Sequence, residues 1–239
     1  MKRDHLHLEA FAGLSREATI SKLRSATEHL SLAETFILLH RLGIYHGEES
    51  WSGAGSSLAE TAALRNALPM LVEEYGIRRM LDVPCGDFHW MQHVDLGSVE
   101  YSGADIVPDL VTRNTERFGA PERTFVTLDI TRERPPAVDL VLCRDLFIHL
   151  SLADVDRAIL NIVESGSRLL LASHFRACSE NVDIRSGEYH PINLCAPPFR
   201  LPPPIKIIDE HSQLAGGAGR DRSMALWLLD DLRTEPSRA

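Results

Sequence analysis

The sequence predicts a doubly wound α/β fold, on three observations. Strand-length apolar runs near residues 78–83, 100–105, 124–129, 138–143 and 168–173 alternate with helix-length segments near 88–95, 108–118 and 152–164. Such alternation means parallel strands joined by right-handed crossovers. Four of these runs deliver acids to one edge: Asp82 and Asp87 around the first turn, then Asp105, Asp129 and Asp145. After the fifth run a proline-rich passage leads to Ile205-Lys-Ile-Ile-Asp209 and Met224-Ala-Leu-Trp-Leu-Leu229, close enough in sequence to form an antiparallel, hairpin-like edge.

The first sixty residues read differently. Leu14, Ala18, Leu23, Ala26 and Leu30 recur at helical spacing, and Ser31-Leu-Ala-Glu34 is a capping box opening a second helix that stops at Gly43. Trp51-Ser-Gly-Ala-Gly-Ser-Ser57 is a small-residue joint. A further capping box, Ser57-Leu-Ala-Glu60, opens a helix interrupted or restarted at Pro69 and ended by Gly76. The expected units are a helical prefix over 1–57, a core over 58–232 and a flexible tail over 233–239, with low complexity confined to the loop 215–219 and that tail.

The core opens with Met80-Leu-Asp-Val-Pro-Cys-Gly-Asp-Phe-His-Trp-Met91. Leu81 and Val83 suit a buried strand, Pro84 ends the ladder for want of an N–H, and Gly86 lets a backbone approach a ligand. A strand, a tight glycine turn and a new helix mark the place where a doubly wound sheet binds a nucleotide-like ligand. The second helix of the core is bracketed by Pro108 and Gly119. His89 and His93, four apart on the expected first helix, share a face, but no third ligand lies nearby and no metal is expected. His5 and His7 are read as exposed.

Composition narrows the function. A chain of 239 residues that is 44% hydrophobic can bury one large core. A net charge of −9 without a Lys/Arg cluster argues against nucleic acid, since Arg132, Arg134 and the run around Arg220 are interspersed with acids and read as solvated surface. Cys85, Cys143, Cys178 and Cys195 show neither paired spacing nor a metal pattern, which suits a reducing cytoplasm, and Cys85 and Cys143 read as small apolar fillers. Neither a signal peptide nor a membrane-spanning run is visible.

The Asp-Val-Pro-Cys-Gly-Asp-Phe-His-Trp-Met segment and Tyr189-His-Pro-Ile-Asn-Leu-Cys-Ala-Pro-Pro-Phe199 resemble one branch of the class I methyltransferases that use S-adenosylmethionine, over roughly the last three-quarters of the chain. The resemblance implies a Rossmann-like, seven-stranded sheet with a reversed last strand. It also implies that Asp82, Pro84, Cys85, Gly86 and Asp87 surround the methionine part of the cofactor, that Asp105 holds the ribose hydroxyls, and that Asp129 faces the adenine amine. Ile106, Ile130 and Arg144 beside these acids, and Trp90 stacking on or under the adenosine, complete the expected cofactor contacts. Pro84 and Asp87 stand where the family commonly has glycines. The chemistry of the residues agrees: carboxylates suit a ligand carrying a sulfonium and an ammonium, whereas a pyrophosphate prefers bare N–H groups, and the G-x-G-x-x-G spacing of dinucleotide binders is missing.

In such enzymes a helical prefix folds over the cofactor as a lid, and Trp51, an aromatic amid glycines and serines, needs something to cover. Catalytic candidates are Asp145 and His149 after the fourth strand and His174 after the fifth, His149 being able to act as base near neutral pH. The long polar loop from Asn181 to Phe199 is the expected acceptor pocket, with Tyr189, His190 and Asn193 joined by Trp51. The expected acceptor is a small polar molecule, sugar-like, amino-acid-like or a secondary metabolite, methylated on oxygen or nitrogen. The rivals are a nicotinamide oxidoreductase and a non-catalytic module that binds S-adenosylmethionine. A homodimer covering the prefix is left open.

Overall fold

The computed structural model describes residues 25, 27–214 and 221–233. Leu14, Ala18, Leu23 and Ala26 of the periodic run, His5, His7, the loop 215–219 and the last six residues lie outside them. Seven strands form one sheet: β1 (Arg79–Asp82), β2 (Glu100–Asp105), β3 (Arg123–Thr127), β4 (Leu140–Cys143), β5 (Leu169–Phe175), β6 (Lys206–Asp209) and β7 (Arg222–Leu228). Their order is β3-β2-β1-β4-β5-β7-β6, and β7 alone runs opposite in direction to the other six. The order reverses between β1 and β4, the switch point at which a ligand crevice opens in such sheets. This is the Rossmann-like sheet with a reversed last strand.

Both faces of the sheet are covered, so side chains of the central strands alternate between two cores. Val141 and Cys143, Leu170 and Ala172, and Ala225 and Trp227 face one; Leu140 and Leu142, Leu169 and Leu171, and Met224 and Leu226 face the other. Helix α4 (Leu152–Glu164) closes the first core with Val155, Ala158, Ile159 and Ile162, a one-sided helical stripe. Ser151 caps it by accepting from the Asp154 N–H at 3.2 Å. Helix α2 (Ala62–Tyr75) closes the second with Leu64, Leu68 and Leu71. It runs unbroken through Pro69, at the cost of the one N–H that proline lacks, because three fully packed leucines hold it. Gly76 ends it in the left-handed conformation, φ 59°. Helix α3 (Pro108–Phe118) has the bounds the sequence predicts, and a short α5 (Leu229–Arg233) follows β7. Strand β3 is an edge with one buried side chain, Phe125, and Asp129 and Asp145 lie two residues beyond their strands.

The prefix helix α1 (Leu32–Arg41) carries the full capping box: Ser31 Oγ accepts from Glu34 N, and Glu34 returns to the Ser31 N–H at 2.9 Å. The second capping box forms only in part. Glu60 N donates to Ser57 Oγ at 3.3 Å, but α2 starts at Ala62 and the Glu60 carboxylate turns into the protein.

The expected helix at 88–95 does not form. Phe88 takes a left-handed φ of 58°, and only a single 3-10 turn, Met91–His93, follows. The reason is packing: Phe88, Trp90 and Met91 are all buried, a spacing no helical face supplies, and Phe88 sits 5.3, 5.1 and 5.2 Å from the rings of Tyr101, Phe118 and Phe125. His89 and His93 therefore share no helix face; His89 Nε2 lies 3.4 Å from Glu49, and no group of three metal-ligating side chains is found among the described residues. No described helix is long and apolar enough to cross a membrane.

Candidate functional site

The switch point opens into a cavity of about 730 Å³. Its floor is the carboxyl ends of β1, β2, β3 and β4, and its roof is the prefix, from Leu32 on α1 to Ser56. Size and shape fit a cofactor with a small second ligand.

The turn after β1 is held from below. Val83 N donates to Leu142 O at 2.9 Å and Cys85 N to Ala104 O at 2.8 Å, so Pro84 falls where the ladder has no bond to lose. Gly86 adopts φ 52°, gives its N–H to Asp105 at 3.1 Å, and receives Asn114 Nδ2 on its carbonyl at 2.8 Å. A Cβ there would lie 2.1 Å from Ser52 Oγ, so glycine is required by the roof as well as by the backbone.

Asp87 does something the sequence does not disclose. Its carboxylate accepts from Ser50 Oγ at 2.9 Å, from Trp51 N at 2.8 Å and from Ser52 Oγ at 3.1 Å, and its own N–H donates to Ser52 Oγ at 2.9 Å. The glycine-serine joint is thus clasped onto the ligand turn. Trp51 remains 43% exposed, stacked on His46 at 4.3 Å, with the Arg113 guanidinium 5.9 Å from its centre.

Asp105 ends β2 with its carboxylate accepting from Val107 N at 2.9 Å and from Gly86 N. A carboxylate has about four acceptor positions, and with the Ile106 N–H also bearing on it, acceptor capacity remains for a ligand. Burial pushes its pKa up to about 6 against those backbone donors. Ile106, Leu128 and Ile130 form an apolar slot beside it, and Asp129 turns one oxygen back to Thr131 at 2.7 Å. Trp90 lines the cavity beneath Arg144, whose guanidinium lies 5.7 Å from the indole.

Asp82 lies under this floor, outside the cavity lining, and receives the Tyr101 hydroxyl at 2.6 Å. Burial, opposed by that bond and by Arg144, raises its pKa to about 7. An acid with a folded pKa above its unfolded value favours folding at low pH, and that advantage is lost as pH rises from about 4 through 7. Asp82→Asn is therefore expected to melt on the order of 5 °C above the parent at pH 7.5, converging with it near pH 4. Equal melting temperatures at pH 7.5 would show that the carboxyl is not destabilised by burial.

The far end of the cavity is built on ion pairs. Arg144, 4% exposed, pairs with Glu210 at 2.8 Å and Asp145 at 3.2 Å and donates to Gly55 O at 2.8 Å. Arg222, also buried, pairs with Glu210 at 2.9 Å, Asp145 at 3.3 Å and Glu60 at 3.4 Å; Ser212 Oγ donates to Glu60 at 2.6 Å. Asp145 sits at φ 55°, strain that aims its carboxylate back at Ser173 Oγ, 3.0 Å away, and at both arginines. Burial raises its pKa, but Arg144, Arg222 and Ser173 outweigh that and hold it below the usual value. It is a fixed negative charge and a weak base.

His149 is the better base. Its Nδ1 lies 2.8 Å from the Glu188 carbonyl, which can only accept, so Nδ1 carries the proton and Nε2 keeps its lone pair. Burial lowers its pKa, against the Glu188 bond and the Asp145 charge, so the ring is neutral at pH 7.

Of the predicted acceptor-side residues, Trp51 and Tyr189 line the cavity, and His174, His190 and Asn193 do not. His174 points to the opposite face of β5 from Ser173, into the core against Trp227, accepting from Leu194 N at 3.3 Å. The His190 ring is tied to the carbonyls of Val182 at 2.6 Å and Phe147 at 3.3 Å. Asn193 bonds Cys178 O at 2.8 Å and Cys195 N at 3.0 Å. The polar loop organises itself and offers the cavity only Tyr189.

No family model and no curated protein matches the chain. Among solved structures, it is similar to the N-methyltransferase NodS of Bradyrhizobium japonicum WM9, at 14% identity and a TM-score of 0.48, over 71% of this chain and 93% of that one. It is also similar to the magnesium protoporphyrin IX methyltransferase of Synechocystis PCC 6803 with bound SAH, at 16% identity and 0.45, over 67% and 74%. A third is the methyltransferase domain of bacterial CtHen1, at 14% and 0.42, over 48% of this chain and 66% of that one. Any functional reading rests on the site's own residues.

Sequence reasoning misses Tyr45, Glu60, Glu210 and Arg222. Glu60 reads as a capping residue, and Arg222 falls in a stretch that reads as solvated surface. Arg132 and Arg134, read the same way, are exposed. Among these arginine and acid positions, only a buried partner far away in sequence distinguishes one fate from the other.

Proposed function

We propose that the chain binds S-adenosylmethionine in the cavity and transfers its methyl group to an oxygen or nitrogen of a small acceptor. The observation that carries this reading is the turn after β1, which brings its backbone and the neighbouring Asp105 carboxylate to the cavity but supplies neither a cation nor a helix N-terminus. A dinucleotide needs that N-terminus for its pyrophosphate, so the missing helix at 88–95 counts against the nicotinamide alternative.

The residues fit the adenosyl ligand. Asp105 keeps acceptor capacity for a ribose hydroxyl, Ile106 and Ile130 give a flat base an apolar slot, and Cys85 and Gly86 line the methionyl end with their carbonyls, their N–H groups being used within the fold. S-adenosylmethionine would supply a methyl carbon already activated by its sulfonium, so the protein's own work is to hold the acceptor in line and receive its proton. His149 Nε2 takes the proton, and Asp145 contributes charge. Residues 50–56, clasped on Asp87, exclude water. The acceptor end is less polar than the sequence suggests, because His190 and Asn193 are engaged inside the fold.

Parallel calorimetric titrations with S-adenosylmethionine, S-adenosylhomocysteine and NAD test this. Micromolar binding of the two adenosyl ligands alone is expected; binding of NAD alone overturns the reading.

A further inference from the structure

The acceptor end of the cavity has a definite chemical character. Tyr45 and Tyr189 flank His149, with ring centres 4.7 and 6.0 Å from it. The polar ends of two of these rings are tethered to consecutive carbonyls of one loop: the Tyr45 hydroxyl donates to Gly187 O at 2.7 Å, and His149 Nδ1 to Glu188 O. What remains for a ligand is the ring faces and Nε2. Around them stand Ile44, Leu146 and Leu214.

The charges are equally specific. The two guanidiniums that reach this end, Arg144 and Arg222, are shared among three carboxylates, Asp145, Glu210 and Glu60. A phosphate or carboxylate on the ligand would find both guanidiniums already ion-paired and would meet Asp145, whose side chain is 21% exposed. A positively charged group finds the opposite: π-faces on one side and a fixed negative charge on the other.

Resting on the methyl-transfer reading, we propose that the acceptor is an amine carried on an apolar body, its ammonium held between the Tyr45, His149 and Tyr189 rings and the Asp145 carboxylate. His149 Nε2 takes a proton from that ammonium. The freed nitrogen lone pair then forms the N–CH3 bond as the S–CH3 bond breaks, the bonding pair staying on sulfur, so the cationic sulfonium becomes a neutral thioether, the product is a methylated ammonium, and the histidine carries the proton taken from the substrate.

The test is binding, measured by calorimetry at pH 7.5, of three probes of one shape: 2-phenylethylamine, 2-phenylethanol and 3-phenylpropionate, with and without saturating S-adenosylhomocysteine. The amine is expected to bind at least tenfold more tightly than the alcohol, and the carboxylate not at all. Asp145→Asn should weaken the amine fivefold or more and leave the alcohol unchanged. Tyr189→Leu, at an exposed ring that the fold does not need, should do the same. Carboxylate binding equal to that of the amine, an amine preference that survives both substitutions, or no binding of any probe overturns the proposal. The titration with S-adenosylhomocysteine alone separates the failures: if it binds and the amine does not, the acceptor class is wrong and the methyl-transfer reading stands; if the amine binds and it does not, the reverse holds.

Discussion

Asp105→Ala is expected to weaken S-adenosylhomocysteine binding by roughly 10- to 100-fold, since a hydrogen bond from a ribose hydroxyl to a carboxylate is worth about 1.5–3 kcal/mol. The alanine variant also frees the N–H groups of Gly86 and Val107, which bond different oxygens, so Asp105→Asn, which keeps an acceptor for one of them, is the companion and should lose less thermal stability than the alanine variant. The same carboxyl sets a pH dependence. Its pKa of about 6 in the free protein means that the ligand binds a form that is ionised above pH 6 and depleted below it. Affinity should be flat from pH 7 upward and about tenfold weaker at pH 5, with proton release on binding in the acid range. Unchanged affinity in Asp105→Ala would remove the ribose assignment.

The second large effect is on turnover. His149→Ala should lower kcat by roughly 100-fold or more, the usual contribution of a positioned base, while S-adenosylhomocysteine binds as in the parent. Because burial lowers the His149 pKa, the acid limb of the kcat profile should fall below pH 6.5 and vanish in the variant. Turnover equal to the parent's, or an acid limb that survives the substitution, would exclude His149 as the proton acceptor. Asp145 contrasts with it: two guanidiniums make its carboxylate too weak a base for that role.

The alternation of strands with helices and most helix bounds were legible because they follow from short-range rules. Ser31 with Glu34, Pro108 with Gly119, and Ser151 before the Val155–Ile162 stripe each act within a turn or two of chain. The failures have one cause. The helix expected at 88–95 is undone by Phe88 packing among Tyr101, Phe118 and Phe125, and the capping role of Glu60 by Arg222 and Ser212. Local preference is worth tenths of a kcal/mol per residue, and burying an aromatic ring or satisfying a buried guanidinium is worth several times that.

By itself, then, the sequence determined the doubly wound sheet, its reversed edge and the delivery of Asp105, Asp129 and Asp145 to one end, because alternation and turn chemistry are written in contiguous residues. Only the tertiary structure decided which polar residues face the ligand. Side-chain direction on β5 sends His174 into the core, loop carbonyls take up His190, and Asp87 clasps the Ser50–Ser52 segment over the cavity. Residues 55, 60, 145 and 210 meet around the two buried guanidiniums of Arg144 and Arg222, and no rule of spacing could have joined them, because what holds them together is the need to neutralise charge out of reach of water.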